Sequence, residues 1–216
     1  MFGKLLSGFN DIIGKVKTAV TGIGKRIVNF TRKIPTIGNQ VRAMDTEDIV
    51  YAKMCNEVYK KPSERQNLDG YMHTNDSDLH SIYSDGRERV LAIRGTDDLN
   101  DVVTDISIVT GREADTQRFQ DELKFARDNN ITKCTGHSLG GTISAYISSQ
   151  LSIPCVIFNA GAGANSVLSM FKPSNQSLIK SYKIQGDPIS LLWSQGNIKI
   201  LAGKPDMNPH TINQFI

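Results

Sequence analysis

Cysteine is scarce in this chain: Cys55, Cys134 and Cys155 are the only three in 216 residues. Three thiols make no disulfide framework, and their spacing does not suit a zinc site. The fold must therefore hold together by burying apolar side chains, for which this length suffices. The cysteines are expected as buried, reduced thiols. Long apolar runs are missing as well. None approaches the roughly 20 residues that a membrane-spanning helix needs, and lysines interrupt every candidate core of a secretory signal. With 39% apolar and 22% charged residues, the composition reads as a soluble globular body. Internal repeats and low-complexity tracts are absent.

Acid is almost lacking from the first 44 residues. Asp11 stands alone there against Lys4, Lys15, Lys17, Lys25, Arg26, Arg32, Lys33 and Arg42, while the whole chain is only +3. A basic arm on an acidic body points to a partner for the arm. Phe2, Leu5, Leu6, Phe9, Ile12, Ile13, Val16, Val20, Ile23, Ile27 and Phe30 recur at three- and four-residue intervals, the period of one helical face. Residues 1–31 are thus expected as a basic amphipathic helical arm that lies in a membrane interface. Gly3, Gly8, Gly14, Gly22 and Gly24 weaken it in water, which suits a helix that forms on lipid. In make-up it resembles membrane-lytic peptides. Packing on the body, or service as an organelle transit peptide, are the competing readings. Nucleic acid is disfavoured, because the bases interleave with a regular apolar face. Residues 32–44, with Pro35 and Gly38, read as a linker.

Residues 45–216 form the body. Residues 45–59 read as a helix opened by Asp45 as its cap. Residues 79–84 read as a strand, Asp85-Gly86 as a hairpin turn and 90–93 as a buried strand, an antiparallel pair leading into a sheet. Helices are expected over 100–106, 115–128 and 138–151, and strands over 131–135, 154–158 and 178–184. Such alternation predicts an α/β fold with a mostly parallel central sheet covered on both faces.

One motif carries chemistry. Gly136-His137-Ser138-Leu139-Gly140-Gly141 stands between a strand and a helix, the context of a nucleophile elbow. A strand turning straight into a helix bends sharply at Ser138, and Gly136 and Gly140 leave room for the bend. The Leu139 N–H, at the start of the helix, can bind an oxyanion.

A serine hydroxyl needs a base. The histidines are His73, His80, His137 and His210. His137 adjoins Ser138 and is poorly placed to reach its Oγ. In an elbow fold the order along the chain is Ser, acid, His, which leaves His210. Asp187 and Asp206 are the only acids between Ser138 and His210. Asp187, on a turn at a strand end before Pro188, is the better orienting group. Arg94-Gly95-Thr96 leaves the earlier strand, so Thr96 fits a second oxyanion donor.

Together these residues resemble the class 3, or fungal-type, lipases of the α/β-hydrolase superfamily. The resemblance rests on Ile93-Arg94-Gly95-Thr96, an Asp-containing helix expected at Asp101 to Asp105, the elbow, Asp187-Pro188 and His210, and spans roughly residues 45–216. It implies a Ser138–Asp187–His210 triad, an oxyanion hole at Thr96 and Leu139, ester hydrolysis of lipids through an acyl-enzyme, and no metal or organic cofactor. Three departures stand out. Asn159-Ala160-Gly161-Ala162-Gly163 replaces a stretch where the family usually carries proline. The segment between Thr96 and Ser138 is short, so any lid is small, within 107–115, and the body is compact. These favour a polar-headed or dispersed lipid. The expected protein is a lipase or phospholipase held peripherally at a membrane by its own arm, a combination a membrane-breaching factor would need. A short-chain esterase, a peptidase, or a membrane-binding module with little turnover are the rival readings, since fold and triad do not fix the substrate.

Overall fold

The structure is a computed structural model that describes residues 43–96, 113–161, 173–191 and 193–216. The chain divides into two units, 1–38 and 39–216, and all the described residues belong to the second. The expectations for the arm, for a helix over 100–106 and for a lid within 107–115 lie wholly or largely outside the described residues.

Among the described residues seven strands make one sheet in chain order: β1 (Met72–Asp76), β2 (His80–Ser84), β3 (Arg89–Ile93), β4 (Lys133–His137), β5 (Cys155–Phe158), β6 (Ile179–Ile184) and β7 (Asn197–Leu201). The pairs β1–β2 and β2–β3 are antiparallel, and β3 through β7 run parallel. Among the described residues three α-helices accompany them: α1 (Ile49–Glu57), α2 (Glu113–Asp128) and α3 (Leu139–Leu151). This is the expected α/β fold with a mostly parallel sheet.

Handedness decides which face each helix covers. Crossovers between parallel strands are right-handed, and here the strand order never reverses, so α2 and α3 fall on the same side. Phe119 and Leu123 of α2 and Ile143 and Ile147 of α3 accordingly share one cluster with Leu91, Ile93, Cys134 and Ile157. The other face needs cover from outside these crossovers. It comes from α1, through Tyr51, Met54 and Cys55, from Val58 just after it, and from Ile212 and Phe215 near the far end of the chain, against Val90, Ala92, Phe158 and Tyr182. With both faces dry, β3 buries Val90, Leu91, Ala92 and Ile93 completely. Full burial of each larger aliphatic side chain contributes about 1.5–3 kcal/mol.

Two expectations are adjusted. Asp45 makes no side-chain cap at the helix start. Its carboxylate instead takes Lys199 Nζ at 2.5 Å and Lys180 Nζ at 3.2 Å, and these lysines hold it down to about 2. The strand expected over 131–135 begins and ends two residues later, because Gly136 pairs with both Ile93 and Ile157 and His137 pairs with Phe158. All three cysteines are buried and outside any disulfide. Burial pushes the Cys55 and Cys155 thiols up to about 12, so neither is a thiolate nucleophile at neutral pH. Among the described residues no helix is long and apolar enough to cross a membrane.

Candidate active site

The carboxyl ends of β3 to β7 form one edge, where parallel sheets gather their functional groups. At the end of β4 the chain turns into α3 within one residue. Ser138 is the N-cap of that helix, with φ +57° and ψ −127°, a region costly for any residue with a Cβ. The surroundings hold it there. Its N–H donates to the Phe158 carbonyl at 3.1 Å, and its own carbonyl accepts from Thr142 N at 3.2 Å. Glycines make the bend possible: a Cβ on Gly136 would collide with the Gly140 backbone, and one on Gly140 with the Ile93 carbonyl.

His210 Nε2 stands 2.9 Å from Ser138 Oγ. Its Nδ1 stands 3.1 Å from each carboxylate oxygen of Asp187. The Asp187 oxygens also accept from the N–H groups of Ile189 and Ser190, both at 3.1 Å. The acid is thus fixed by the turn it begins, and Lys183 Nζ secures that loop by donating to the carbonyls of Leu191 and Trp193. Ser138, Asp187 and His210 are each at least 98% buried, a setting of low dielectric that strengthens every contact among them. Asp206, the alternative acid, is exposed.

Leu139 opens α3, where the first N–H groups have no intrahelical acceptor. Gly95 is pressed against the elbow: a Cβ there would lie 2.7 Å from the His137 carbonyl oxygen and 3.1 Å from Ser138 Cβ. Thr96 follows directly, and Thr96 and Leu139 are both half-buried. Of the other histidines, His80 pairs with buried Glu122 on α2 at 2.9 Å, and His73 lies on β1 beside Tyr83. His137 points away from Ser138 Oγ to other partners: its Nε2 is 2.6 Å from the His210 carbonyl and its Nδ1 is 2.9 Å from the Tyr59 hydroxyl. Sequence reading rejected His137 as a base and missed these contacts. It also missed Tyr59 and Asn159, whose signal was only the unusual asparagine after β5.

Among the described residues one carboxylate group could gather a metal ion, Asp45 with Glu47 and Asp48. Lys180 reaches all three and Lys199 reaches Asp45, so this cluster already has its cations.

The Tle-like phospholipase domain model matches residues 66–213, a span that holds the elbow, Asp187 and His210. The chain belongs to this family. The class 3 resemblance is thereby broadened: a phospholipase- or lipase-like hydrolase family is what the match supports, and not the fungal-type lipases in particular. No curated protein matches the chain. The Tle-like domain is a lipid hydrolase domain, and its matched span begins after α1, so Tyr59 lies ahead of it.

Proposed function

We propose that this protein is a serine phospholipase that cleaves carboxylic esters through an acyl-enzyme on Ser138. The observation that carries the reading is the unbroken chain of contacts from Ser138 Oγ to His210 Nε2 and from His210 Nδ1 to Asp187. Ser138 Oγ attacks the ester carbonyl carbon while its proton passes to His210 Nε2. The carbonyl oxygen becomes an oxyanion that accepts from the N–H groups of Leu139 and Thr96. Collapse breaks the ester bond, and the departing alcohol takes the proton from His210. Water then gives a proton to His210 and adds its oxygen to the acyl carbon. The proton returns to Ser138 Oγ, and a free fatty acid leaves. Asp187 keeps the proton on His210 Nδ1 and stabilises the imidazolium.

The membrane address in this proposal is the arm, residues 1–31. Its regular apolar spacing and eight-to-one excess of base over acid across residues 1–44 support adsorption to an anionic lipid surface. The test is fatty-acid release from phosphatidylcholine/phosphatidylglycerol vesicles and from triolein emulsion. The full chain is compared with Ser138→Ala and with a full-length Leu5→Glu/Phe9→Glu variant. Release from vesicles that vanishes in Ser138→Ala supports the phospholipase, and a further loss in the arm variant on vesicles alone supports the address. Undiminished release by Ser138→Ala would end the mechanism, and activity confined to soluble short-chain esters would leave an esterase.

A further inference from the structure

His210 sits between β7 and a terminal turn of 3-10 helix, on a stretch without regular secondary structure. Yet its ring must hold two hydrogen bonds at once. Its backbone is pinned at three points. The His210 N–H donates to Asn208 Oδ1 at 2.9 Å. The carbonyl of Pro209, the other half of that peptide, accepts from Asn159 Nδ2 at 2.8 Å. The carbonyl of His210 itself lies 2.6 Å from His137 Nε2.

The last two contacts come from the ends of adjacent parallel strands, β4 and β5, so the sheet edge holds the base. Asn159 does more. Its Oδ1 accepts from the N–H of Ile184 at 2.9 Å, the last residue of β6 and three before Asp187. One side chain therefore ties the loop of the base to the strand of the acid. Its backbone is left-handed, with φ +44°, a conformation asparagine adopts more readily than most residues.

The chemistry of His137 follows from its partners. A carbonyl only accepts, so Nε2 carries the hydrogen, and Nδ1 must then accept from the Tyr59 hydroxyl. Burial, with His210 beside it, holds the His137 pKa near 3, which keeps the ring neutral and the tautomer constant. Tyr59 Oη also lies only 2.5 Å from where a Cβ on Gly95 would be, so this hydroxyl abuts both the elbow and the loop of Thr96. His137 and Asn159 are 4% and 0% exposed; they act through His210 and not on a lipid.

We propose that His137 and Asn159 are positioning residues that clamp the peptide groups flanking His210, with Tyr59 fixing the His137 tautomer that donates. The proposal rests on the reading of Ser138, Asp187 and His210 as a triad. Its test uses full-length variants, reaction with a fluorophosphonate–rhodamine probe, kcat and KM on p-nitrophenyl butyrate, and melting temperature. Asn159→Asp keeps the acceptor for Ile184 and sets an oxygen against the Pro209 carbonyl. His137→Leu removes the donor, and His137→Gln returns an N–H near the same place.

Since a misplacement of about 1 Å costs about 100-fold, Asn159→Asp and His137→Leu are expected to lower labelling rate and kcat about 100-fold, with KM within about twofold. His137→Gln is expected to recover about tenfold over His137→Leu. Because both residues hold one loop, the double variant should be at most about tenfold worse than either single one. Should His137→Leu fail to fold, Asn159→Asp and Tyr59→Phe carry the kinetics, and imidazole 15N shifts of the wild type must place the His137 proton on Nε2. Folded variants that label within about threefold of wild type, or a His137 proton on Nδ1, would overturn the clamp while the triad stands. A folded wild-type chain that does not label would sink the triad reading, and the clamp with it.

Discussion

Gly140 lies so close to the carbonyl oxygen of Ile93 that a methyl group on the glycine would overlap it. The contact joins the first turn of α3 to the end of β3, two backbones with no flexible side chain to yield. Gly140→Ala is therefore expected to destabilise the fold by about 3 kcal/mol, the upper part of the range for overpacking. Gly141→Ala meets Ala160 Cβ at 3.1 Å, a milder crowding offset by the helix preference of alanine, and should change stability by less than about 1 kcal/mol. Urea unfolding of both variants checks the contrast. Equal midpoints would mean that the elbow is looser than its geometry implies.

Ser138 holds a positive φ that glycine adopts without strain. Ser138→Gly is expected to abolish fluorophosphonate labelling and to raise stability by about 1 kcal/mol. A melting temperature below that of the wild type would argue against strain at the elbow.

Asp187→Asn puts an amide N–H where a carboxylate oxygen now meets either the His210 Nδ1 or a loop N–H. Donor faces donor, and the histidine loses its reason to keep the proton on Nδ1. The expected loss in kcat is about 10⁴-fold, with KM little changed. Pre-steady-state ester hydrolysis measures this, and a loss of less than about tenfold would point to a different orienting acid.

The His137 pKa, lowered to about 3 by burial and by His210, predicts a pH effect on folding. An unfolded chain protonates this histidine near 6.5, whereas the folded chain resists until about 3. The stability it provides is full above about pH 6.5 and falls on acidification, by up to about 1.4 kcal/mol per pH unit between those limits. Urea unfolding from pH 7 down to pH 4 should show a shallower slope for His137→Gln than for the wild type. Identical slopes would mean that His137 is already charged in the folded protein.

The parts legible in the sequence were those where one physical requirement dominates. The elbow needs glycines at fixed offsets, and chain order left His210 as the only downstream histidine, so the members of the cluster could be named before their distances were known. The buried strands β3 and β5 announced themselves by their apolar content. The edge strands did not. β1 reads Met-His-Thr-Asn-Asp, and β7 exposes Asn197 and Ile198, so hydrophobic spacing is weak where only one neighbour pairs. The contacts behind His210 were also hidden. Asn159 to Pro209 and His137 to His210 are 50 and 73 residues apart, and single side-chain hydrogen bonds over such separations leave no periodic trace. Asp45 shows the opposite error: its place before a helix suggested a cap, and two distant lysines claimed it.

The unfavourable backbone at Ser138 bears on how such a chain drifts. Replacing Ser138 by glycine is expected to relax the turn, so selection for folding alone pulls against the serine. A copy released from any demand for turnover would shed Ser138 early and persist as a well-folded inert protein. In any collection of sequences sharing this elbow, a retained serine therefore records a continuing requirement for chemistry, and its loss marks a scaffold put to another use.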